Sequence, residues 1–422
     1  MTVRDDFDLT LREWLLESAG SGTPDYVEET LDGVWRIDQP AGWMRPWSRV
    51  GAFLALPRRS VVREAPFVVL VGVLVGALII SALIAGSRQT LPTPFGLARS
   101  GLIAFEADGD IYLAAPDGTA TRVLVGDAAD QFAPSWSADG TRLAFWSAPD
   151  HRYPADLWVV GPDGSDPIKV TGNQTYFDDG PAVWSPDGSR LAFATRTGEL
   201  HVVGADGTTD RRIGDDALRY SLPSWSPDGS RLAARGFGPA DDTDYYGYVV
   251  GADDGTRARI GPANVSGIAH GGYAWAADGD EVVYHLWRSE ADLDVAASRV
   301  ASDGAWHDEV RIGGPTRDVL PVLSNDGTRL AFIRTEAFGT AQQASHLMVA
   351  DADGSDIRML SDMNVDQTAP CWSPDDRRIE VASSSSADLR PVIMLVGLDG
   401  TAVEVAAPGR ASLSCAWQRL AP

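Results

Sequence analysis

The chain has 422 residues, 44% of them apolar, with a formal net charge of −24 and two cysteines. The length allows two or three domains, and the apolar fraction is ordinary for a folded protein. The acidic balance argues against a nucleic-acid partner, which needs a basic footprint, and two cysteines exclude a disulfide framework and the usual Cys-rich zinc sites.

The first region, 1–63, reads as a cytoplasmic segment. Phe7, Leu11, Trp14, Leu15 and Leu16 share one face of an amphipathic helix over 5–19. Thr23-Pro24-Asp25 starts a second helix, lined by Tyr26, Leu31, Val34 and Trp35. Two short helices bury little apolar area and are marginal alone. They read either as a loosely structured tail or as a docking segment, residues 1–38, for a cytoplasmic partner. Residues 40–63 then carry Arg45, Arg49, Arg58, Arg59 and Arg63 with no acidic residue, interleaved with Trp43 and Trp47. That composition suits the headgroup region of a bilayer, as a topology signal or as lipid recognition.

Residues 65–87 contain no charge and are predicted to form one transmembrane helix, since about twenty apolar residues span a bilayer. The Arg excess before the span places the N-terminus in the cytoplasm and the rest outside. Sixty-odd residues precede the span, too many for the n-region of a cleaved signal peptide, so an uncleaved anchor is expected. Residues 88–100, with Pro92, Pro94 and Gly96, read as a linker.

From residue 101 the chain repeats. Trp184-Ser-Pro-Asp-Gly-Ser-Arg-Leu-Ala-Phe193 reads as a strand end, a tight turn and a returning strand. The decade recurs at 136–145, 225–234, 275–284, 323–332 and 372–381, and Trp417 has the strand without the turn. The spacings of 48, 41, 50, 48, 49 and 45 residues are those of a four-stranded propeller blade. A second, later turn ends at Gly118, Gly164, Gly207, Gly255, Gly304, Gly354 and Gly400, so there are seven late turns and six early ones. Residues 101–125 therefore supply only the outer three strands of a first blade, and its innermost strand is expected from around Leu413–Trp417. The expected fold is all-β, a seven-bladed β-propeller over 101–422, closed with strands from both ends so that no sheet edge is left open.

Those decades, together with Pro223-Ser-Trp-Ser-Pro-Asp-Gly229, resemble the WD-like repeat of the TolB-type propellers over roughly residues 101–420. The resemblance implies the fold; such propellers bind many different things. The layout of helices, Arg/Trp stretch, span and linker is similar to that of a group of membrane-anchored bacterial propeller proteins, which implies the same topology here. Single-span anti-sigma factors share the plan, but their zinc-binding His/Cys cluster is missing, since the first His is His151 and the first Cys is Cys371.

Few residues point to chemistry. Asp139, Asp187, Asp228, Asp278 and Asp326 recur once per repeat around a rim and do not converge as calcium ligands must; they read as turn residues. Arg142, Arg190, Arg231 and Arg329 read as surface or inter-blade ion pairs, and the repeated Trp as core. The six His, at 151, 201, 270, 285, 307 and 346, show no ligand spacing, so no metal and no cofactor is expected. No Gly-x-Ser-x-Gly elbow and no Gly-rich phosphate motif occurs.

What remains is the face of long loops, opposite the short turns. It carries the candidate ligand-binding residues His151, Tyr153, Tyr176, Phe177, Tyr245, Tyr246, Trp287 and Phe338. Aromatics on loops suit a binding surface, or they cover the blade tops. The strand from Gly101 should begin on the short-turn face, which turns that face to the membrane. Cys371 and Cys415, both on innermost strands, either pair as a disulfide or stay as buried thiols. The reading is a membrane-anchored, non-catalytic propeller that binds a protein, peptide or glycan in the bacterial envelope. Alternatives are a signalling receptor acting through the cytoplasmic segment, and an enzyme with its active site in the long loops.

Overall fold

The structure, a computed structural model, describes residues 96–421 apart from 150–153, 172–179, 216, 239–244, 262–271, 290–291, 301–304, 367, 385–390, 406, 409–410 and 413–415. The expected helices, the Arg/Trp stretch and the span at 65–87 lie outside the described residues, as do His151, Tyr153, Tyr176, Phe177 and Cys415. Gln89–Pro422 is one compact unit.

That unit is all-β, and its described strands form seven antiparallel meanders in chain order. The second meander is Asp130–Trp136, Leu143–Ala148, Asp156–Val160 and Ile168–Lys169. The third is Val183–Trp184, Arg190–Ala194, Leu200–Gly204 and Asp210–Ile213. The fourth is Arg219–Trp225, Arg231–Phe237, Tyr245–Gly251 and Arg257–Ile260. The fifth is Ala274–Trp275, Glu281–Ser289, Asp292–Val300 and Trp306–Ile312. The sixth is Arg317–Leu323, Arg329–Glu336, Ala344–Asp351 and Arg358–Met359. The seventh is Cys371–Trp372, Arg378–Ser384, Pro391–Gly397 and Ala402–Glu404.

The first meander draws on both ends of the unit. Arg99–Ala107, Asp110–Ala114 and Arg122–Val125 supply its outer strands, and Ala411–Ser412 and Trp417–Leu420 both pair with Arg99–Ala107 on the inner side. The pairing expected from the missing early turn is thus present. It starts among the short turns: the Ala98 amide donates to the Pro374 carbonyl at 2.8 Å.

Each turn is held by its own side chains. In the fourth meander the Ser226 hydroxyl donates to Asp228 at 2.6 Å, and the Ser230 amide and hydroxyl donate to it at 3.0 and 2.6 Å. Burial works against ionisation of Asp228, but these donors and Arg231 outweigh it and hold the carboxyl down to about 2. Gly229 closes the turn at φ 69°, a left-handed backbone that Gly takes without a Cβ penalty.

The repeated Trp are buried, and their rings are also tied. The indole N–H of Trp184, Trp225 and Trp275 each donates at 3.0 Å to a carbonyl of the preceding meander, of Ser135, Val183 and Ser224. The repeated Arg do something the sequence did not specify. Arg142, Arg190 and Arg231 lie 5.0, 4.9 and 5.2 Å over Trp184, Trp225 and Trp275 of the next meander. Their Nη2 atoms donate to the carbonyls of Gly188, Gly229 and Gly279 in its early turn. The main bond is to a backbone carbonyl; an ion pair adds to it for Arg190, with Asp253 at 3.1 Å. Arg231→Ala is expected to cost about 1–3 kcal/mol, the scale of a charge-assisted hydrogen bond and its stranded acceptor. A urea midpoint unchanged by that substitution would dismiss the clasp.

Between the sixth and seventh meanders the turn link is reversed. Asp376 replaces the turn glycine, at φ 54°, and its carboxylate accepts from the Asn325 and Asp326 amides at 2.9 Å each. Asn325 Oδ1 in turn accepts from Arg419 Nη1 at 2.6 Å, and Arg419 Nη2 donates to the Gly96 carbonyl. One polar network thus joins two turns, the last strand and the start of the first. Cys371, buried on the seventh inner strand, is disulfide-bonded; Cys415 is the chain's second cysteine.

Candidate functional site

The fifth and sixth meanders are fused at their long-loop end. Leu293 and Arg317 pair as a parallel bridge, and the Leu293 amide donates to the Thr316 carbonyl at 3.1 Å. The bridge merges eight strands into one sheet. A compact group of aromatic and charged side chains surrounds it.

Arg317 is only 5% exposed, and its guanidinium lies 4.2 Å from the centroid of Phe338, on the loop after Arg329–Glu336. Cation and ring stabilise one another, the more so away from water. Trp287, near the end of Glu281–Ser289, packs against the cluster that holds Leu293, Val319 and Ile333. Its indole N–H is buried with no hydrogen-bond partner among the described residues.

Charged neighbours are paired. Asp318 is fully buried, and Arg334 grips it through Nε and Nη2 at 2.7 Å each, with the Thr316 hydroxyl donating at 3.1 Å. The bonds to Asp318 raise the Arg334 guanidinium above its ordinary value, against the effect of its own burial. Arg288 Nε donates to the buried Asp294 at 2.8 Å. His285 is 5% exposed and pushed down to about 4, first by burial and then by the charges of Arg235 and Arg317. It is a neutral imidazole at neutral pH, and its buried Nε2 has no partner among the described residues. The arrangement offers an aromatic–cation platform on a rigid paired base, which suits recognition.

Of the sequence-predicted residues, Trp287 and Phe338 both border this bridge. Tyr246 does not: it lies in the fourth meander, 4.0 Å under Arg259 and edge-on to Tyr248 at 6.5 Å. Tyr245 begins the strand Tyr245–Gly251, paired with Phe237. His285, Arg317, Asp318 and Arg334 were not singled out from sequence as members of a site. Their convergence depends on a bulge between Val319 and Val322, which sets Asp318 opposite Arg334, and no local pattern announces it.

No protein-family model matches the chain. Over 46 residues it is 48% identical to a protein described as a TolB homologue from Chlorobium luteolum, a match spanning 11% of this chain and 11% of that protein. Its fold is similar to the tricorn protease, with a TM-score of 0.55 at 14% identity over 77% of this chain and 35% of the protease. It is similar in the same way to a prolyl endopeptidase, with a TM-score of 0.52 at 14% identity over 76% and 51% of the two chains. TolB from Acinetobacter baumannii aligns over 81% of this chain and 71% of its own, at 15% identity and a TM-score of 0.48. By its repeat and its all-β meanders, the chain is similar to the TolB-like β-propellers.

Proposed function

We propose that this chain is a non-catalytic, protein-binding propeller of the bacterial envelope. Its seven meanders are seven blades of one closed ring, anchored by a single span at 65–87 with the N-terminal helices in the cytoplasm. The short-turn face looks toward the membrane and the long-loop face outward, toward a protein partner.

The observation that carries the reading is the contrast between the faces. Short turns are stitched to one another through Arg–carbonyl clasps, which leaves their side chains occupied. The long-loop end of the fifth and sixth blades instead presents Phe338 under Arg317, beside the partly buried ring of Trp287. The TolB likeness favours a protein ligand, and the likeness to peptidases covers only part of those chains.

The test is site-specific photocrosslinking in cells. A crosslinking residue at position 338 should yield a discrete protein adduct, and one at the exposed turn residue Ser230 should not. Adducts from 230 alone would reverse the assignment of faces. Phe338→Ala should weaken the captured complex while costing the fold about 1–2 kcal/mol, the scale of a cation–π pair whose cation is largely out of water.

A further inference from the structure

The closing seam differs from the seams beside it. Between the second and third, third and fourth, and fourth and fifth meanders, the Arg of one meander reaches the early turn of the next, donating from Nη2 to its glycine carbonyl. Arg190 also reaches the late turn of that meander through Nη1, to Asp253 at 3.1 Å. Arg378 stands at the same repeat position in the seventh meander. Its Nη1 donates to the late-turn carbonyl of Pro116 at 2.7 Å, in the place that Asp253 takes for Arg190. But the first meander has no early turn, because its inner strand comes from the C-terminal part of the chain. Nη2 of Arg378 therefore has no glycine carbonyl to meet and makes no hydrogen bond among the described residues.

A cavity of about 460 Å³ occupies the place of the missing turn. Trp417 lines it, in the position that Trp225 holds under Arg190. Ala98, Arg99 and Ser100 of the incoming strand, Pro116 and the turn from Ser373 complete the walls. One more group here lacks a partner: the Ser100 hydroxyl is buried without a hydrogen bond among the described residues.

We infer that this open turn seat is a peptide-binding site, and that it takes a reverse turn of the Pro-Asp-Gly kind from a partner protein. The chemistry follows from the neighbouring seams. What fills the equivalent space there is a Ser-Pro-Asp-Gly or Ala-Ala-Asp-Gly turn that offers a carbonyl to Arg Nη2 and sits beside the Trp. A partner's turn supplies to Arg378 Nη2 the carbonyl that the early turn supplies in the neighbouring seams. This site is on the opposite face from the Phe338 platform, so either assignment can fail without the other.

The experiment uses the full-length protein and a fluorescent cyclic peptide holding the sequence of residues 185–189, Ser-Pro-Asp-Gly-Ser, in a turn. Anisotropy titration should give saturable binding. Arg378→Met should weaken it at least tenfold, as should the exposed-rim substitution Arg99→Trp, which plugs the cavity. Arg231→Met, in an occupied seam, should leave it unchanged. If Arg378→Met does not fold, Arg99→Trp carries the test. Absence of binding to the wild-type protein would overturn the proposal, as would binding that survives Arg99→Trp or equal binding of a peptide with scrambled order.

Discussion

Raising the pH from about 5 to 8 should erode the stability contributed at Glu380, and Glu380→Gln should remove that erosion. Glu380 occupies a seat that the repeat gives to Ala144, Ala192, Ala233 and Ala331, each packed in the cluster that holds the next meander's Trp. It pairs across strands with Cys371 and Leu395, which pack with Trp417 in the closing seam. It is fully buried, and neither carboxyl oxygen has a hydrogen-bond partner among the described residues. Burial pushes the carboxyl up to about 8 from 4.5, with the Trp417 indole opposing. The folded state therefore holds the proton more tightly than the unfolded chain. Stability is fully present below about 4.5 and is lost as pH rises through about 8. The loss is roughly 3–5 kcal/mol at about 1.4 kcal/mol per pH decade. His285, held down to about 4 from 6.5, acts in the other direction: its neutral form favours the fold more as pH rises through that window. Comparison with the variant cancels that contribution. Urea midpoints of the wild type and Glu380→Gln should converge near pH 5 and separate by pH 8; parallel curves would refute the assignment.

Asp318→Ala should cost about 3–5 kcal/mol, because it leaves the guanidinium of Arg334 without its counter-charge in a largely buried site. Asp318 is 0% exposed and the Arg334 side chain 19% exposed, so little water reaches the pair. The pair itself is not required for the fold. The fourth meander places Tyr220 and Gly236 at the corresponding cross-strand positions, and Tyr220 is almost fully buried. Asp318→Val combined with Arg334→Leu should therefore lose much less than Asp318→Ala alone. Equal losses in the single and double variants would show that the cost lies in packing and not in the stranded charge.

The Trp-Ser-Pro-Asp-Gly decades carried the architecture. A turn that needs Gly at positive φ, an Asp that binds its own backbone and a Trp that fills an inter-strand gap are local requirements, so they repeat visibly at a fixed period. Counting late against early turns was enough to expect a closing strand from around Leu413–Trp417, because a missing turn in a periodic chain leaves a strand to be supplied from elsewhere; the strands that pair with Arg99–Ala107 are Ala411–Ser412 and Trp417–Leu420. Local chemistry did not show what the repeated residues do between meanders. Arg190 reads as a surface or inter-blade ion pair in the sequence; it does meet Asp253 of the next meander, but it also donates to a carbonyl 39 residues away. Arg317 and Phe338, Asp318 and Arg334, and the group around the Leu293 bridge meet only because a bulge and one parallel contact bring two meanders into register. Glu380 shows the same division. The sequence displays a Glu where most of its siblings have Ala, but only the packed seam buries it fully, and its pKa depends on that desolvation, which no single stretch of sequence contains.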